Sequence, residues 1–590
     1  MNLEGIIFAP VILPLLGAAI VFLAKVFFHN KAAKIVEYSG VFIGLFLPWA
    51  AFFYVLPFVL NGGAITGVIG HWYKGVGIMY RFDGLAWMVN ILGYSIGGAA
   101  WLNSLSSGPK GPSFSAIFLI QTAALGATMM TADIFNLFVC LEVLGITSYI
   151  LVANSDKPGA SLASFSYLMV SSTAMVFFLL GLFGLYRLTG SLSYNGIAEG
   201  LKALNDYGGP TAFISLSLIV GAITIRVAVM PLYGWLPDAH ALAPHSISAV
   251  LSGVLIKTPL FAMTRILILF PIGKEAGQLM SYAGAGTALI AVIIALSQKD
   301  AKRLLAYHSI SQIGYIVCTW GASIALGTST KPGVLLMGAA FLHALYHALF
   351  KGLLFLSIGS TVDATGQRDV YLLRGSVSIL RSSGERIPIT FLGFLVGALS
   401  ICAIPPFNGF TSKIAMTYLL KTYGHHGSII YWILTFSSVG TVASFIKLSR
   451  IYWPLKKQDR TDESRDKNTL PDKRQYKGKI PGALSISLLA ILCIAGGVKT
   501  PFIYSTVVSL LSDSLKGIYL GISFFSWDNL VKTLFITAAG IILFLGATGK
   551  QGSSILKRIR ERPRSFQGLF VSYAFATAVL VSWLYFQKTP

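Results

Sequence analysis

The sequence predicts an all-α polytopic membrane protein with about sixteen transmembrane helices. Hydrophobic residues make up 55% of the 590 residues and charged residues only 11%, and the mean hydropathy is +0.72. This composition excludes the water-soluble class. Apolar windows long enough to cross a bilayer recur along the whole chain. Basic residues collect in every second loop between them, a pattern typical of chains that cross a membrane many times.

The apolar windows place the predicted spans, to within several residues at each end. They lie near 5–28, 36–60, 78–101, 112–130, 132–153, 162–187, 211–235, 244–270, 279–298, 304–325, 331–358, 388–420, 427–452, 481–513, 527–547 and 567–586. We divide the chain into an N-terminal three-helix segment (1–111), a first repeat unit (112–270), a second repeat unit (271–452), a polar cytoplasmic loop (453–480) and a C-terminal three-helix extension (481–590).

The net charge of +23 has a placement that argues against nucleic acid as a partner. Lysine and arginine lie in the loops after odd-numbered spans, at 25–34, 299–303, 368–386, 456–479 and 557–564, and the alternate loops are poor in them. By the positive-inside rule the odd-numbered loops are cytoplasmic and both termini face outward. We therefore predict a multi-pass protein of a prokaryotic plasma membrane, whose first span is retained rather than cleaved as a signal peptide.

The helix predicted around Phe341–Leu356 carries a polar stripe inside an apolar surface. His343, His347 and Lys351 are spaced four apart, so they project from one face. The run stays apolar for about two more turns, so Lys351 is expected at membrane depth, where a charge costs roughly 2.5 to 3.5 kcal/mol on insertion scales. Such a cost indicates a function, and the alternative is a lysine that extends toward the interface.

Other ionisable residues fall within predicted spans. Glu142 has no partner on its own helix, so it is either protonated or paired across helices; both states suit a proton relay, and the alternative is a structural pair that locks two helices. Arg226 keeps its charge in nearly any site and suits a fixed electrostatic role. Lys257 is the better relay candidate because a buried lysine can lose its proton, and His308 enters the tenth span where it is able to bind water.

Prolines interrupt two of the predicted spans. Pro231 and Pro237 flank a glycine in the seventh span, and Pro405 and Pro406 lie in the twelfth, with Lys413 within two turns. Interrupted helices in a bilayer are tolerated where they line a polar cavity. The two breaks are five spans apart, and this odd offset gives their units opposite orientations, as in an inverted repeat.

No motif predicts a cofactor, a metal or a catalytic site. The phosphate-binding, dinucleotide-binding and H-E-x-x-H patterns are absent. The four cysteines are scattered without C-x-x-C spacing, which argues against iron–sulfur, zinc and disulfide chemistry. His343 and His347 have no acidic or cysteine partner nearby in sequence, so we do not predict a metal site there.

Six ordered motifs between about residues 75 and 450 carry a resemblance to a known family. They are D-I-F-N-L-F-V-C-L-E at 133–142, P-L-Y-G-W-L-P-D-A-H at 231–240, L-I-K-T at 255–258, D-A-K-R-L-L-A-Y-H-S at 300–309, H-A-L-F-K-G-L-L-F at 347–355 and I-P-P-F-N-G-F-T-S-K at 404–413. They resemble the antiporter-like proton-pumping subunits shared by respiratory complex I, membrane-bound hydrogenases and Mrp-type multisubunit cation/proton antiporters. The first motif is most similar to the Mrp D-type and hydrogenase-linked branch.

The resemblance implies two inverted five-helix units, each with a broken helix, and a midplane chain of ionisable residues. By position, Glu142 matches the family glutamate, Lys257 and Lys351 the central lysines, and Lys413 the terminal lysine. Arg226 stands where the family usually has a lysine, and we predict that its permanent charge keeps Glu142 ionised. A long lateral helix before the last span, as in the most distal complex I subunit, is not expected, because only about twenty residues separate the last two predicted spans.

The main prediction is a membrane subunit of a larger complex that moves H⁺, with exchange for Na⁺ left open. Its relay is expected to comprise the following residues: Glu142, Arg226, Lys257, His308, His343, His347, Lys351 and Lys413. Its expected partners are membrane subunits of an Mrp-, hydrogenase- or complex I-like assembly, and an oxidoreductase activity would belong to that assembly. The alternatives are a stand-alone transporter of a small organic solute, with an aromatic midplane pocket, and a redox enzyme in its own right, for which no binding motif is present.

Overall fold

The computed structural model describes residues 3–71, 77–269, 274–454, 479–512, 515 and 522–561. Within these residues fourteen helices are long and apolar enough to cross a membrane. The chain is therefore an all-helical protein with many candidate membrane spans. The count of sixteen stays a prediction, because the last predicted span, 567–586, lies outside the described residues, as does most of the polar loop 453–480.

The N-terminal segment contains helices and one small hairpin. The elements are α1 (Leu3–Ile6), α2 (Ala9–Phe27), α3 (Asn30–Val41), a π-helical turn (Phe42–Phe46), α4 (Pro48–Leu60), β1 (Ile65–Val68) and β2 (Met79–Phe82). The two strands pair antiparallel, with Ile65 opposite Phe82. The predicted third span therefore begins later than expected, because Asp83 ends the strand and caps α5, accepting a hydrogen bond from the Ala86 N–H at 3.1 Å.

The rest of the described chain is helical. The helices are α5 (Gly84–Ser106), α6 (Pro112–Met130), α7 (Ile134–Ala153), α8 (Ala160–Thr189), α9 (Tyr194–Ala203), α10 (Gly209–Arg226), α11 (Trp235–Leu242), α12 (His245–Val250), α13 (Thr258–Leu269), α14 (Lys274–Ser297), α15 (Ala301–Leu326), α16 (Lys331–Thr365), α17 (Ser376–Ser382), α18 (Ile389–Ile401), α19 (Asn408–Leu420), α20 (Gly424–Ser449), α21 (Lys479–Val498), α22 (Thr500–Leu511), α23 (Trp527–Thr548) and α24 (Lys550–Glu561). Short 3₁₀ turns lie at Ile69–His71, Asn205–Gly208, Lys421–Tyr423 and Arg450–Tyr452.

Helices α15 and α16 form the centre of the molecule. Of their most apolar 18-residue windows, 94% and 89% are buried, against 11% for the peripheral helix α23. Backbone-to-backbone packing fixes α15 against α14: a Cβ added at Gly314 would lie 2.6 Å from the carbonyl oxygen of Gly284, and one at Gly321 would lie 2.7 Å from that of Gly277. Small residues at these four positions let the two helices approach closely, as is common between membrane helices.

The two proline-containing breaks have the same local geometry. Helix α10 ends at Arg226 and α18 at Ile401, and two residues later Ala228 and Ala403 adopt left-handed φ angles of 57° and 59°. Pro231 and Pro406 follow three residues after those alanines, each behind a cis peptide bond.

The hydrogen bonds of the two breaks also correspond. The Ala228 N–H donates to the Ile225 carbonyl at 3.1 Å, and the Ala403 N–H donates to the Ser400 carbonyl at 3.0 Å. Pro405 lies within the second break, whereas Pro237 lies inside the first turn of α11 rather than in the break.

A third discontinuity interrupts the span that the sequence predicts at 244–270 as one continuous helix. A π-helical turn, Leu251–Leu255, separates α12 from α13. The Ile256 N–H donates to the Leu251 carbonyl at 3.2 Å, one residue further back than in an α-helix. This slip frees carbonyl groups immediately before Lys257.

Candidate functional site

Five of the predicted relay residues have no solvent-accessible surface. They are Lys257, His308, His343, His347 and Lys351. Arg226 and Lys413 are each 6% exposed. A charge so far from water requires hydrogen-bond partners, and each cationic side chain has at least one.

Lys351 projects from α16 toward α15. Its Nζ donates to the carbonyl of Leu305 at 2.5 Å and lies 5.0 Å from the centre of the Phe355 ring. No carboxylate partner of Lys351 is present among the described residues. The Lys351 ammonium group is therefore held by one carbonyl and one ring face, without a countercharge among these residues.

The π-helical turn holds Lys257 against α16. Its Nζ donates to the carbonyls of Ser252 at 2.6 Å and Gly253 at 2.7 Å, which the turn leaves available. A Cβ added at Gly253 would lie 3.5 Å from the carbonyl oxygen of Ala348. The turn therefore contacts α16 between His347 and Lys351.

Two serines outside the predicted relay lie between these lysines. The hydroxyls of Ser252 and Ser309 lie 2.7 Å apart. Ser309 Oγ also donates to the Leu305 carbonyl at 3.2 Å, which is the acceptor of the Lys351 ammonium group. Lys257 thus bonds the carbonyl of the residue whose hydroxyl contacts Ser309, and Ser309 and Lys351 share the Leu305 carbonyl as acceptor. Serine is common in membrane helices, so neither residue gave a signal in the sequence.

His343 joins three helices further along α16. Its Nδ1 lies 2.9 Å from Ser412 Oγ on α19, and its Nε2 lies 3.1 Å from Gln312 Oε1 on α15. The His347 ring is nearly parallel to it, with ring centres 6.3 Å apart. The nitrogens of His347 and His308 have no protein hydrogen-bond partner within the described ranges, and buried polar atoms of this kind bind ordered water in native proteins.

Lys413 lies at the second break, one residue after the serine that binds His343. Its Nζ donates to the Ile401 carbonyl at 3.0 Å and lies 4.9 Å from the centre of the Tyr315 ring. It lines a cavity of about 100 Å³ together with the exposed lysines Lys421 and Lys532. The cavity gives Lys413 a connection toward the surface.

Glu142 and Arg226 form a pair across helices α7 and α10. The closest carboxylate–guanidinium distance is 3.6 Å, and Arg226 also donates to the Leu141 carbonyl at 2.8 Å. Glu142 is 27% exposed, whereas the Arg226 side chain is 5% exposed. No hydrogen bond joins this pair directly to Lys257 in the part of the chain that the structure describes.

Further buried cations lie outside the predicted relay. Lys302, which the sequence analysis assigned to a cytoplasmic basic loop, has no accessible surface and donates to the Ala243 carbonyl at 2.7 Å. Lys447 donates to the carbonyls of Leu296 at 2.8 Å and Gln298 at 2.5 Å. These lysines satisfy free carbonyls at the ends of helices and have a structural explanation.

A bidentate ion pair fixes the start of α5. Arg265 donates to both oxygens of Asp83, at 2.7 and 2.8 Å, and to the Met129 carbonyl at 3.1 Å. Burial raises the pKa of Asp83, but the attraction of Arg265 outweighs it, so that the pKa falls from its ordinary value of 3.8 to about 2. No group of three His, Cys, Asp or Glu side chains within the described residues has the geometry of a metal site.

Comparison with known proteins assigns this chain to a family. The model of the NADH:quinone oxidoreductase/Mrp antiporter transmembrane family matches residues 131–443, more than half of the chain. The chain is 32% identical over 386 residues to NADH-quinone oxidoreductase subunit N of Desulforudis audaxviator, covering 64% of this chain and 72% of that protein. It is 28% identical over 453 residues to the D-type subunit of the Na⁺/H⁺ antiporter of Alkalihalophilus pseudofirmus, covering 76% and 86%.

Solved structures have the same fold. The chain matches a chain of the Mrp complex from Dietzia sp. DQ12-45-1b with a TM-score of 0.73 at 22% identity, covering 90% of this chain and all of that one. It matches a chain of an archaeal membrane-bound sulfane sulfur reductase with a TM-score of 0.70 at 25% identity, covering 90% and 98%. By sequence and by fold, this chain belongs to the NADH:quinone oxidoreductase/Mrp antiporter transmembrane family.

Proposed function

We propose that this chain is a proton-translocating subunit of a multisubunit membrane complex. The observation that carries the proposal is the polar connection between Lys257 and Lys351 through Ser252, Ser309 and the Leu305 carbonyl. Both lysines lie within candidate membrane spans, His245–Leu267 and Lys331–Thr365, whose most apolar windows are 100% and 89% buried. An ionisable residue at that depth is expensive and marks an ion path by default.

The proposed relay extends from this connection in two directions. Toward the second break, His347 and His343 lead through Ser412 to Lys413 and its cavity. Toward the first break, the Glu142–Arg226 pair supplies the opposite end, with water between it and Lys257. His308, whose ring nitrogens have no protein partner within the described residues, provides a further water-binding position beside Lys351.

The outer face of α7 supports a membrane partner. Glu142 lies among four apolar side chains that are 40% to 48% exposed, namely Phe135, Val139, Ile146 and Ile150. A partly exposed carboxylate facing lipid is costly, and contact with another subunit removes that cost. The relatives named above are subunits of antiporter and quinone oxidoreductase complexes, which agrees with a partner at this face.

We also propose that residues 112–270 and 271–452 are two inversely oriented units, and that with the segments 1–111 and 481–590 they give about sixteen helices. The matching alanine, proline and hydrogen-bond geometry of the two breaks supports this division. The distribution of basic loops supports a plasma-membrane location with both termini outside.

The alternative of a stand-alone solute transporter requires a substrate-sized midplane pocket with aromatic lining. Among the described residues, a groove of about 570 Å³ lies on the outer surface between α7 and α8 and is lined by apolar side chains such as Phe135 and Phe183, and the cavity beside Lys413 measures only about 100 Å³. It suits a lipid chain or a neighbouring helix. We therefore favour the proton-translocating subunit.

Two experiments test the proposal. Purification of the tagged protein from its native membrane in mild detergent, followed by mass spectrometry, identifies the partners: Mrp-like subunits indicate an antiporter, hydrogenase or quinone-reductase subunits a redox machine, and purification alone a solute transporter. In the intact complex, Glu142→Gln is expected to abolish proton transport without loss of assembly. Normal transport by that variant removes Glu142 from the relay.

A further inference from the structure

Helix α16 continues beyond Lys351 toward the face with the basic loops. At intervals of four residues, Phe355, Gly359 and Asp363 form a stripe that winds slowly around the helix, because the helical repeat is 3.6 residues. Lys351 and Asp363 are twelve residues apart, about 18 Å along a helix. Because half of the hydrocarbon core is about 15 Å thick, this distance takes the stripe from the middle of the membrane to its surface.

A histidine–aspartate pair lies at the surface end of this stripe. His245 Nε2 lies 2.9 Å from Asp363 Oδ1, with the His245 side chain 4% and the Asp363 side chain 33% exposed. The imidazole packs on the backbone of α16, so that a Cβ added at Gly359 would overlap the His245 ring. The absence of a side chain at Gly359 therefore allows His245 to reach Asp363.

A second histidine lies between this pair and Lys351. The His240 ring stacks on Phe355, with centres 5.2 Å apart and an angle of 17° between planes. Lys351 Nζ lies 5.0 Å from the centre of the same Phe355 ring. His240 has almost no accessible surface, and neither of its nitrogens has a protein partner in the described part of the chain.

Buried polar atoms without a protein partner also belong to this pair and its chain neighbour. Within the described residues they are the Nδ1 atom of His245 and the hydroxyl of Ser246. Ser246 has no accessible surface. Such atoms bind ordered water in native proteins, so water is expected between Asp363 and His240.

Three cations face the same region from neighbouring elements. Lys302 and Lys157 donate to the Ala243 carbonyl at 2.7 and 3.5 Å, and Arg368 donates to the Ala241 carbonyl at 2.7 Å. They satisfy the carbonyls at the end of α11. In the Asp363–His245 pair, the partly exposed Asp363 contacts water and the buried His245 leads toward the interior.

We propose that Asp363, His245 and His240 form a proton route between Lys351 and the basic-loop face. The route rests on the proposed function, because it would deliver protons to the central lysines or remove protons from them. A hydronium ion at the surface gives a proton to Asp363 or His245, the imidazole passes it through water to His240, and His240 passes it through a second water beside the Phe355 ring to the unprotonated amine of Lys351. Each group accepts one proton and releases one, and the reverse sequence carries protons out.

The test measures proton transport by the intact complex in inverted membrane vesicles. Asp363→Asn is expected to reduce the rate by about tenfold or more, as for loss of a proton-transfer group. Millimolar formate should restore much of the rate, because the partly exposed position is open to a small weak acid. Gly359→Ala should reproduce the loss with every titratable group still present, since its Cβ displaces His245.

Two further variants make the outcomes distinguishable. Asp156→Asn changes an exposed carboxylate on a neighbouring loop and should transport at the wild-type rate. Lys351→Met should be inactive and insensitive to formate. Normal transport by Asp363→Asn beside an inactive Lys351→Met overturns the route alone, as does a loss in Asp363→Asn that formate does not restore. Normal transport by Lys351→Met overturns the proposed function and the route together.

Discussion

The hydroxyl groups of Ser252 and Ser309 lie 2.7 Å apart, and this contact joins the two halves of the polar interior. Ser252 belongs to the π-helical turn whose carbonyls hold Lys257, and Ser309 shares its acceptor, the Leu305 carbonyl, with Lys351. Two lysines on different helices are thereby connected without a carboxylate between them. Hydroxyl groups both donate and accept hydrogen bonds, so the serine pair can pass a proton in either direction. The carbonyls on either side of it only accept, and we expect water to complete the transfer to each lysine.

Removing one of the two hydroxyls should slow proton transfer. Ser309→Ala breaks the contact with Ser252 while leaving both lysines in place. We expect about a fivefold lower transport rate in the intact complex, equivalent to ~1 kcal/mol for one hydrogen bond. Ser444→Ala is the matched control, because Ser444 is also fully buried and its hydroxyl donates to the Gly440 carbonyl of its own helix. Equal rates for the two variants would show that the serine contact has no part in transfer.

The geometry of Arg226 predicts that lysine is a poor replacement. The guanidinium reaches the Glu142 carboxylate and the Leu141 carbonyl through different nitrogens, and a single ammonium group does not reproduce this arrangement. Arg226→Lys should therefore lower transport by about tenfold, the cost of one hydrogen bond to a charged group, and change the infrared titration of Glu142.

The control for Arg226 is Arg187→Lys, which alters an exposed arginine at the end of α8. If Arg226→Lys leaves both transport and the Glu142 titration unchanged, the fixed charge of Arg226 does not tune Glu142.

The left-handed alanine in the second break predicts an unusual response to substitution. Ala403 has a φ of 59°, which costs an L-residue roughly 1 to 2 kcal/mol relative to glycine. Ala403→Gly should raise the thermal midpoint of the purified protein or leave it unchanged, and Ala403→Val should lower it. Ala398→Gly in the adjoining helix should be destabilising by about 1 kcal/mol. The same loss for both glycine variants would contradict the strained backbone.

The ion pair of Asp83 and Arg265 predicts a dependence of stability on pH. The pKa of Asp83 is lowered to about 2 in the folded protein, so its contribution is fully present above pH 4 and is lost as the pH falls through 2. The shift corresponds to about 2 kcal/mol. Asp83→Asn should unfold at a lower temperature than wild type at pH 6, and the difference should shrink as the pH approaches 2. If the difference in unfolding temperature between Asp83→Asn and wild type is the same at pH 6 and near pH 2, the ion pair is not the cause of that difference.

The sequence predicted helices and their charged stripes more accurately than the contacts between them. The spacing of His343, His347 and Lys351 predicted a helix, and α16 contains all three with their side chains buried. The π-helical turn before Lys257 was missed, because a one-residue slip of the hydrogen bonds leaves no trace in hydrophobic periodicity. Burial of Lys302 was missed because its partner is a backbone carbonyl, which every residue possesses.

Strand β2 was interpreted as the beginning of a membrane span because short apolar runs suit both structures. The residue that ends the strand, Asp83 before a glycine, can be recognised in the sequence. The pairing of Asp83 with Arg265, 182 residues later, cannot be recognised there. Pairings over such distances depend on the packing of whole helices, and the pattern of residues within one span does not contain them.

Proton transport by Lys351→Met tests the central claim most directly. Methionine keeps the length of the side chain and removes the ionisable group, and Lys331→Met on the same helix is the control because Lys331 is exposed. We predict that the Lys351 variant assembles with its partners and transports no protons, while the Lys331 variant transports at the wild-type rate. Wild-type transport by a fully assembled Lys351→Met complex would contradict a proton path through the middle of α16.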